Sequence, residues 1–151
     1  MYHPGVARDD LLDHLVGSWT LTGRRGSEEL RQDVTGEWTL QDQYVRMHFR
    51  ETRAPEGKSP YEALYMLGYD PGDGTYVLHL FDRFGAAYSR VLGVGTRRGD
   101  SIEFLFEYPD GEFSNTFTWQ SERGCWEMLL RERTEAGEWR LWATKTLAPR
   151  I

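Results

Sequence analysis

Four positions carry side chains suited to acid–base work or to gripping a polar ligand, and they fall within apolar stretches: Tyr44, Arg46, His79 and Arg90. His79 stands among Val77, Leu78, Leu80 and Phe81. An imidazole there, titrating near neutrality, can serve as a polar anchor or as an acid and base, with Asp82 or Tyr44 assisting. Arg46 beside Tyr44, and Arg90 beside Tyr88, set a permanent cation next to a phenol and are candidates for the inward face. A buried guanidinium must be paired, so the same arginines also fit structural ion pairs with Asp82, Glu62 or Glu51. His48, between Arg46 and Arg50, repeats the pattern more weakly. His3 and His14 lie near the chain end and a first helix, and no role is expected of either.

Other chemistries lack their residues. Gly93-Val94-Gly95 has neither the Gly-Lys-Ser/Thr nor the strand–helix setting of a phosphate loop. There is no G-x-S-x-G, and no serine stands in a nucleophile's context. The single Cys125, beside Trp126, gives no disulfide framework and no cysteine-rich metal site, and reads as a packed or surface thiol. No catalytic residue, no metal ligand and no cofactor is therefore assigned.

Positioning these residues requires regular elements, and the chain's periodicity supplies them. Asp9 or Asp10 can cap a short helix whose Leu11, Leu12 and Leu15 share a face. From there the apolar period becomes 2. Segments 16–25, 29–40, 43–53, 61–70, 75–82, 86–95, 101–108, 112–120, 124–133 and 138–147 read as strands. Between them stand turn residues such as Gly26-Ser27, Pro55-Glu56-Gly57, Pro71-Gly72-Asp73-Gly74, Gly99-Asp100 and Pro109-Asp110-Gly111. Short connections make successive strands antiparallel neighbours. An open sheet of ten strands would leave two bare edges, so the expected fold is all-β: a closed up-and-down antiparallel barrel after a short helix.

Alternation assigns the faces. Leu30, Val34 and Trp38 oppose Glu29, Arg31 and Glu37; Ile102, Phe104 and Phe106 oppose Glu103 and Glu107. Phe113, Phe117 and Trp119 form one face of their strand, and Trp126, Met128 and Leu130 that of the next, with Trp139 and Leu141 continuing the wall. In segments 61–70 and 75–82 neither face is cleanly polar: either an apolar patch covers the outside there, as at a dimer contact, or the inward face carries polar groups. The inward residues Phe104, Phe117 and Trp126, with the anchors Tyr44, Arg46, His79 and Arg90, are the expected ligand-binding set. A ten-stranded barrel encloses more than its side chains need fill.

Composition bounds the partners. The chain has 151 residues, one domain over 1–151, and a net charge of −6, which disfavours nucleic acid. Aromatic residues make up 14%, in keeping with a sheet-rich interior or a binding cavity. No run approaches the ~18 apolar residues of a membrane span, and MYHPGVARDD has no apolar signal core. A cytoplasmic location is expected.

Two motifs carry a resemblance. HLVGSWTLTG, with Gly17 and Trp19, resembles the G-x-W entry of lipocalin-like (calycin) barrels, in which the Trp packs across the closed end. LGYDPGDGTYVLHLFDRFG resembles the G-Y-D-P hairpin of a bacterial domain-of-unknown-function family placed among the same barrels. The resemblance implies the fold over most of the chain and little about function. Nitrobindin-type haem barrels are similar at the G-x-W, but their iron ligand is a late His and none follows His79 here; haem held by His79 or His48 would be a different site. Fatty-acid-binding proteins are a second distant similarity; their carboxylate clamp of Arg and Tyr inside the barrel implies Arg46 with Tyr44, or Arg90 with Tyr88, as its counterpart here. The expected function is the binding of a small apolar or amphipathic molecule in the barrel. The alternatives are a cavity-based cyclase or isomerase using His79, a haem-binding barrel, and a ligand-free homodimerising module.

Overall fold

The structure is a computed structural model and describes residues 7–54 and 56–151. His3 and Pro55 lie outside them. A one-turn helix, α1 (Asp10–Asp13), is followed by β1 (Gly17–Arg25), β2 (Glu28–Thr39), β3 (Tyr44–Glu51), β4 (Glu62–Asp70) and β5 (Thr75–Asp82). A second helical turn, α2 (Ala86–Ser89), leads to β6 (Gly93–Arg98), β7 (Ser101–Tyr108), β8 (Gly111–Gln120), β9 (Cys125–Arg133) and β10 (Trp139–Pro149). Every strand pairs antiparallel with its sequence neighbours, and β1 pairs with β10, so the sheet closes into a ten-stranded barrel. Closure leaves no bare edge, as expected from the strand count.

Two strand readings are corrected. Segment 86–95 begins as α2, since Gly85 at φ 91° turns the chain out of β5's line and only Gly93 onward rejoins the sheet. In β10 the register shifts between Leu141 and Ala143. The extra residue reverses the alternation, so Trp139 and Leu141, expected on the inner wall, are exposed, while Ala143, Lys145 and Leu147 face inward and are buried.

One end of the barrel is stoppered. The side chain of Asp9 caps α1 by accepting from the Leu12 amide at 2.9 Å, and Leu11, Leu12 and Leu15 are buried. Side chains from around the barrel tie the helix down. Tyr76 donates to Asp9 (2.8 Å), Trp38 to Asp13 (2.7 Å), and Arg97 to both oxygens of Asp10 (2.8 and 3.2 Å). The indoles of Trp19 and Trp126 donate to the carbonyls of Leu15 and His14, each at 2.9 Å. Where the chain leaves α1 it crosses Gly36 so closely that a Cβ there would stand 2.1 Å from the Leu15 oxygen. At Gly17 a Cβ would meet nothing nearer than the Trp19 ring at 3.8 Å, so the close approach is at Gly36.

Above this stopper Trp126, Phe104, Phe117, Leu21, Val34, Met47, Leu67 and Leu78 fill the lower barrel. The glycines of Gly93-Val94-Gly95 are packing sites. A Cβ on Gly93 would stand 2.6 Å from the Phe106 ring, and one on Gly95 2.7 Å from Phe104. Each glycine therefore leaves room for an aromatic ring from the adjacent strand.

Candidate functional site at the barrel mouth

The other end, reached by the connections at 26–27, 52–61, 83–92, 109–110 and 134–138, carries the single helical turn α2 within its 83–92 connection. Its rim is aromatic. Tyr61 packs on Phe84 with centroids 5.9 Å apart, Tyr88 on Tyr108 at 5.5 Å, and Phe113 on Trp142 at 5.5 Å. The Arg25 guanidinium sits 5.3 Å over the Trp142 ring, a cation–π contact.

Within this rim lies a set of polar groups. Asp82, half-buried at the end of β5, accepts from the Tyr61 hydroxyl at 3.2 Å and, through its other oxygen, from the Phe84 amide at 3.0 Å. Burial pushes the Tyr61 and Tyr65 hydroxyls far above the ordinary phenol range, and the nearby Asp82 charge adds to both. Burial likewise raises Tyr108, to about 12. These phenols stay protonated and offer hydrogens.

Midway down, strand register places three further polar side chains on the inner face: Gln32 on β2, Asn115 on β8 and Lys145 on β10. Gln32 shares its face with Leu30 and Val34, and Asn115 with Phe113 and Phe117. Both are buried, and their amide oxygens have no hydrogen-bond partner among the described residues. Lys145 is 9% exposed, stands opposite Gly23 and Met128, and has no carboxylate within ion-pair distance among the described residues. Burial, with the Arg25 charge adding to it, lowers the Lys145 ammonium to about 8. The interior therefore offers an apolar floor, a polar middle layer and an aromatic rim.

The residues singled out from sequence divide between the two faces. Phe104, Phe117 and Trp126 point inward and are fully buried. Tyr44, Arg46 and His79 lie on the outer face. Tyr44 covers Gly68 and meets the exposed His79 ring edge-on at 6.4 Å, and Arg46 pairs with Glu37 at 3.2 Å. Arg90 is exposed at the end of α2. The inward placement expected of Arg46 and Arg90 is thus corrected, and Asp82 bonds to Tyr61 rather than to either arginine. His48 is also on the outer face, 2.5 Å from Glu62; its hydrogen bond holds the Glu62 carboxyl below the usual range. Neither His48 nor His79 presents a nitrogen to the interior.

Outside the interior, a depression of about 420 Å³ lies on the rim between the 107–112 and 133–135 segments. A groove of about 340 Å³ runs over Arg46, His48, Glu62, Leu64 and Phe81. Among the described residues no group of three or more His, Cys, Asp or Glu is arranged to hold a metal ion. No helix among them is long and apolar enough to cross a membrane.

The sequence reading missed Lys145, Gln32 and Asn115. The signal was present: in Ala143-Thr-Lys-Thr-Leu147 the lysine shares parity with Ala143 and Leu147, and Asn115 shares it with Phe113 and Phe117.

No family model and no curated protein matches the chain. Solved structures do. A redesigned β-barrel is 11% identical, with 97% of this chain and all of that one aligned at a TM-score of 0.50. A structure of EF1p2_mFAP2b bound to DFHBI is 14% identical, with 91% of this chain and 95% of that one aligned at a TM-score of 0.36. At this identity the first likeness shows the fold alone: this chain is a closed, ten-stranded antiparallel barrel.

Proposed function

We propose that this chain is a cytoplasmic, lipocalin-like binding protein that takes a small amphipathic molecule in through the barrel mouth. The observation that carries the reading is the layer of buried polar groups, Lys145, Gln32 and Asn115, between an apolar floor and an aromatic rim. Unpaired buried polar atoms each cost about 1–3 kcal/mol, and a barrel that only needed a core would replace them with aliphatic side chains. A ligand with one polar end and a flat or elongated apolar body satisfies them. Its polar end would meet Lys145 and the two amides, and its body would lie against Phe113, Trp142 and Tyr108.

The test is native mass spectrometry of the protein purified from its own host. A retained mass beyond the polypeptide, released from a variant that blocks the layer (Asn115→Phe), supports the reading. A bare polypeptide that also binds none of a panel of amphipathic compounds contradicts it.

One observation favours a second reading. The outer face of β5 and β6 carries Phe81, Val94 and the neighbouring Leu92 at 41–48% exposure, an apolar surface suited to a second copy of the chain. Light scattering separates this from the binding reading. A monomer removes it.

A further inference from the structure

The chain uses arginine almost throughout for its cations. Lys58 and Lys145 are its two lysines. Lys58 is exposed in the connection between β3 and β4, whereas Lys145 lies inside the barrel. A lysine kept as a structural cation is paired with a carboxylate, and one kept for solubility reaches water. Lys145 does neither. Its surroundings are Ala143 and Leu147 along its own strand, with Gly23 and Met128 opposite, and Gly23 has no side chain to crowd the amine. About 9% of its surface remains exposed.

We propose that Lys145 is a nucleophilic amine that captures a carbonyl compound with an apolar body, an aldehyde or an unhindered ketone, as an imine inside the barrel. The proposal rests on the mouth being the ligand's entrance. Burial without a counter-ion disfavours the ammonium, so a sizeable share of Lys145 is the free amine near neutral pH, the state from which attack occurs. Arginine, protonated at any accessible pH, could not take this part.

The step balances without oxidant or reductant. The Nζ lone pair bonds to the carbonyl carbon, the C=O π pair moves to oxygen, and a proton passes from nitrogen to that oxygen to give a carbinolamine. The C–O bond then breaks with uptake of a proton, the second proton leaves nitrogen, and water departs as the C=N bond forms. The interior supplies what these transfers need. Gln32 and Asn115 offer unpartnered amide oxygens to the carbinolamine hydroxyl.

The experiment uses trans-cinnamaldehyde, a flat apolar aldehyde, with sodium cyanoborohydride to fix any imine, and maps the adduct by peptide mass spectrometry. Cinnamyl alcohol, which cannot form an imine, is titrated in parallel by quenching of tryptophan fluorescence. The expected result is one adduct, on Lys145, formed roughly ten- to a hundredfold faster than on Lys58 at about pH 7.5, as the larger free-amine fraction requires. Lys145→Met abolishes it, and the map on the wild-type chain stands even if that variant folds poorly. Binding of the alcohol with labelling confined to Lys58 or the N-terminal amine, or with no labelling, overturns the proposal while leaving the mouth as a binding site. Neither binding nor labelling overturns both.

Discussion

Tyr61 donates its hydroxyl hydrogen to Asp82 across 3.2 Å, joining the residue before β4 to the last residue of β5 at the barrel rim away from α1. The bond has a charged acceptor in a part-buried setting, and the same carboxylate also orders the Phe84 amide at the start of the α2 connection. Tyr61→Phe keeps the ring on Phe84 and removes only the hydroxyl. It is expected to cost about 1–2 kcal/mol in urea unfolding at neutral pH, within the range for a hydrogen bond to a charged group. An unchanged midpoint would mean that water replaces the phenol at no cost.

Lys145 gives a pH signature whose sign is fixed. Its pKa is about 8 in the folded chain, below the 10.5 of an unperturbed lysine. Below about 8 both states hold the proton, and the burial penalty is present in full. Between about 8 and 10.5 the unfolded chain binds more protons than the folded one, so stability rises with pH. Lys145→Met removes the ionisation and fills similar volume. It is expected to be more stable than the wild type near pH 7, by up to about 3 kcal/mol, and the difference should shrink toward pH 10. A difference that stays flat from pH 7 to 10, read by urea unfolding at each pH, would show that the ammonium is solvated where it lies.

The stopper helix separates strong from weak polar contacts. Asp9 caps α1 and accepts from Tyr76, whereas Asp10 meets Arg97 with 78% of its side chain exposed. Asp9→Ala should therefore cost about 1–3 kcal/mol through the lost cap and the stranded phenol. Asp10→Ala should cost under about 1 kcal/mol, as exposed ion pairs do. Equal losses in thermal or urea unfolding would contradict this ordering.

Barrel closure depends on the seam between β1 and β10. A Cβ on Gly23 would stand 2.2 Å from the Thr144 carbonyl oxygen, a backbone atom that cannot rotate away. Gly26, in the turn at φ 61°, has open space around it. Gly23→Ala should lose about 1–3 kcal/mol or more as the seam shifts, and Gly26→Ala only about 1 kcal/mol from its backbone conformation. Far-UV circular dichroism and unfolding midpoints of the two variants check the order.

Much of the barrel was legible because half-buried strands advertise themselves by alternation. The boundaries of β5 and β7 match the pattern residue for residue, and Leu30, Val34 and Trp38 share a face as read. Legibility failed where a local feature broke the period. Gly85 turns 86–95 out of the sheet before β6, and the bulge in β10 moves Trp139 and Leu141 outside while bringing Lys145 in. The anchors were misplaced for a different reason. Strands β4 and β5 are apolar on both faces, so alternation there carries no sign and His79 could not be assigned a side without the register. On β3, by contrast, Arg46 has the opposite parity to the buried Val45, Met47 and Phe49, a signal the sequence reading missed. Tyr61 and Asp82 lie 21 positions apart, and only the β4–β5 pairing brings them together.

The most direct measurement of the central claim is a two-dimensional ¹⁵N–¹H NMR titration with cinnamyl alcohol, a flat molecule with one polar end. Binding at the mouth predicts saturable shifts at Gly23–Arg25, Gln32, Tyr61, Asp82, Tyr108, Phe113, Asn115, Trp142 and Lys145, with α1 and its surroundings unmoved. Shifts confined to the outer face around His79, Phe81 and Val94, or none at concentrations that saturate tryptophan quenching, would contradict an interior site.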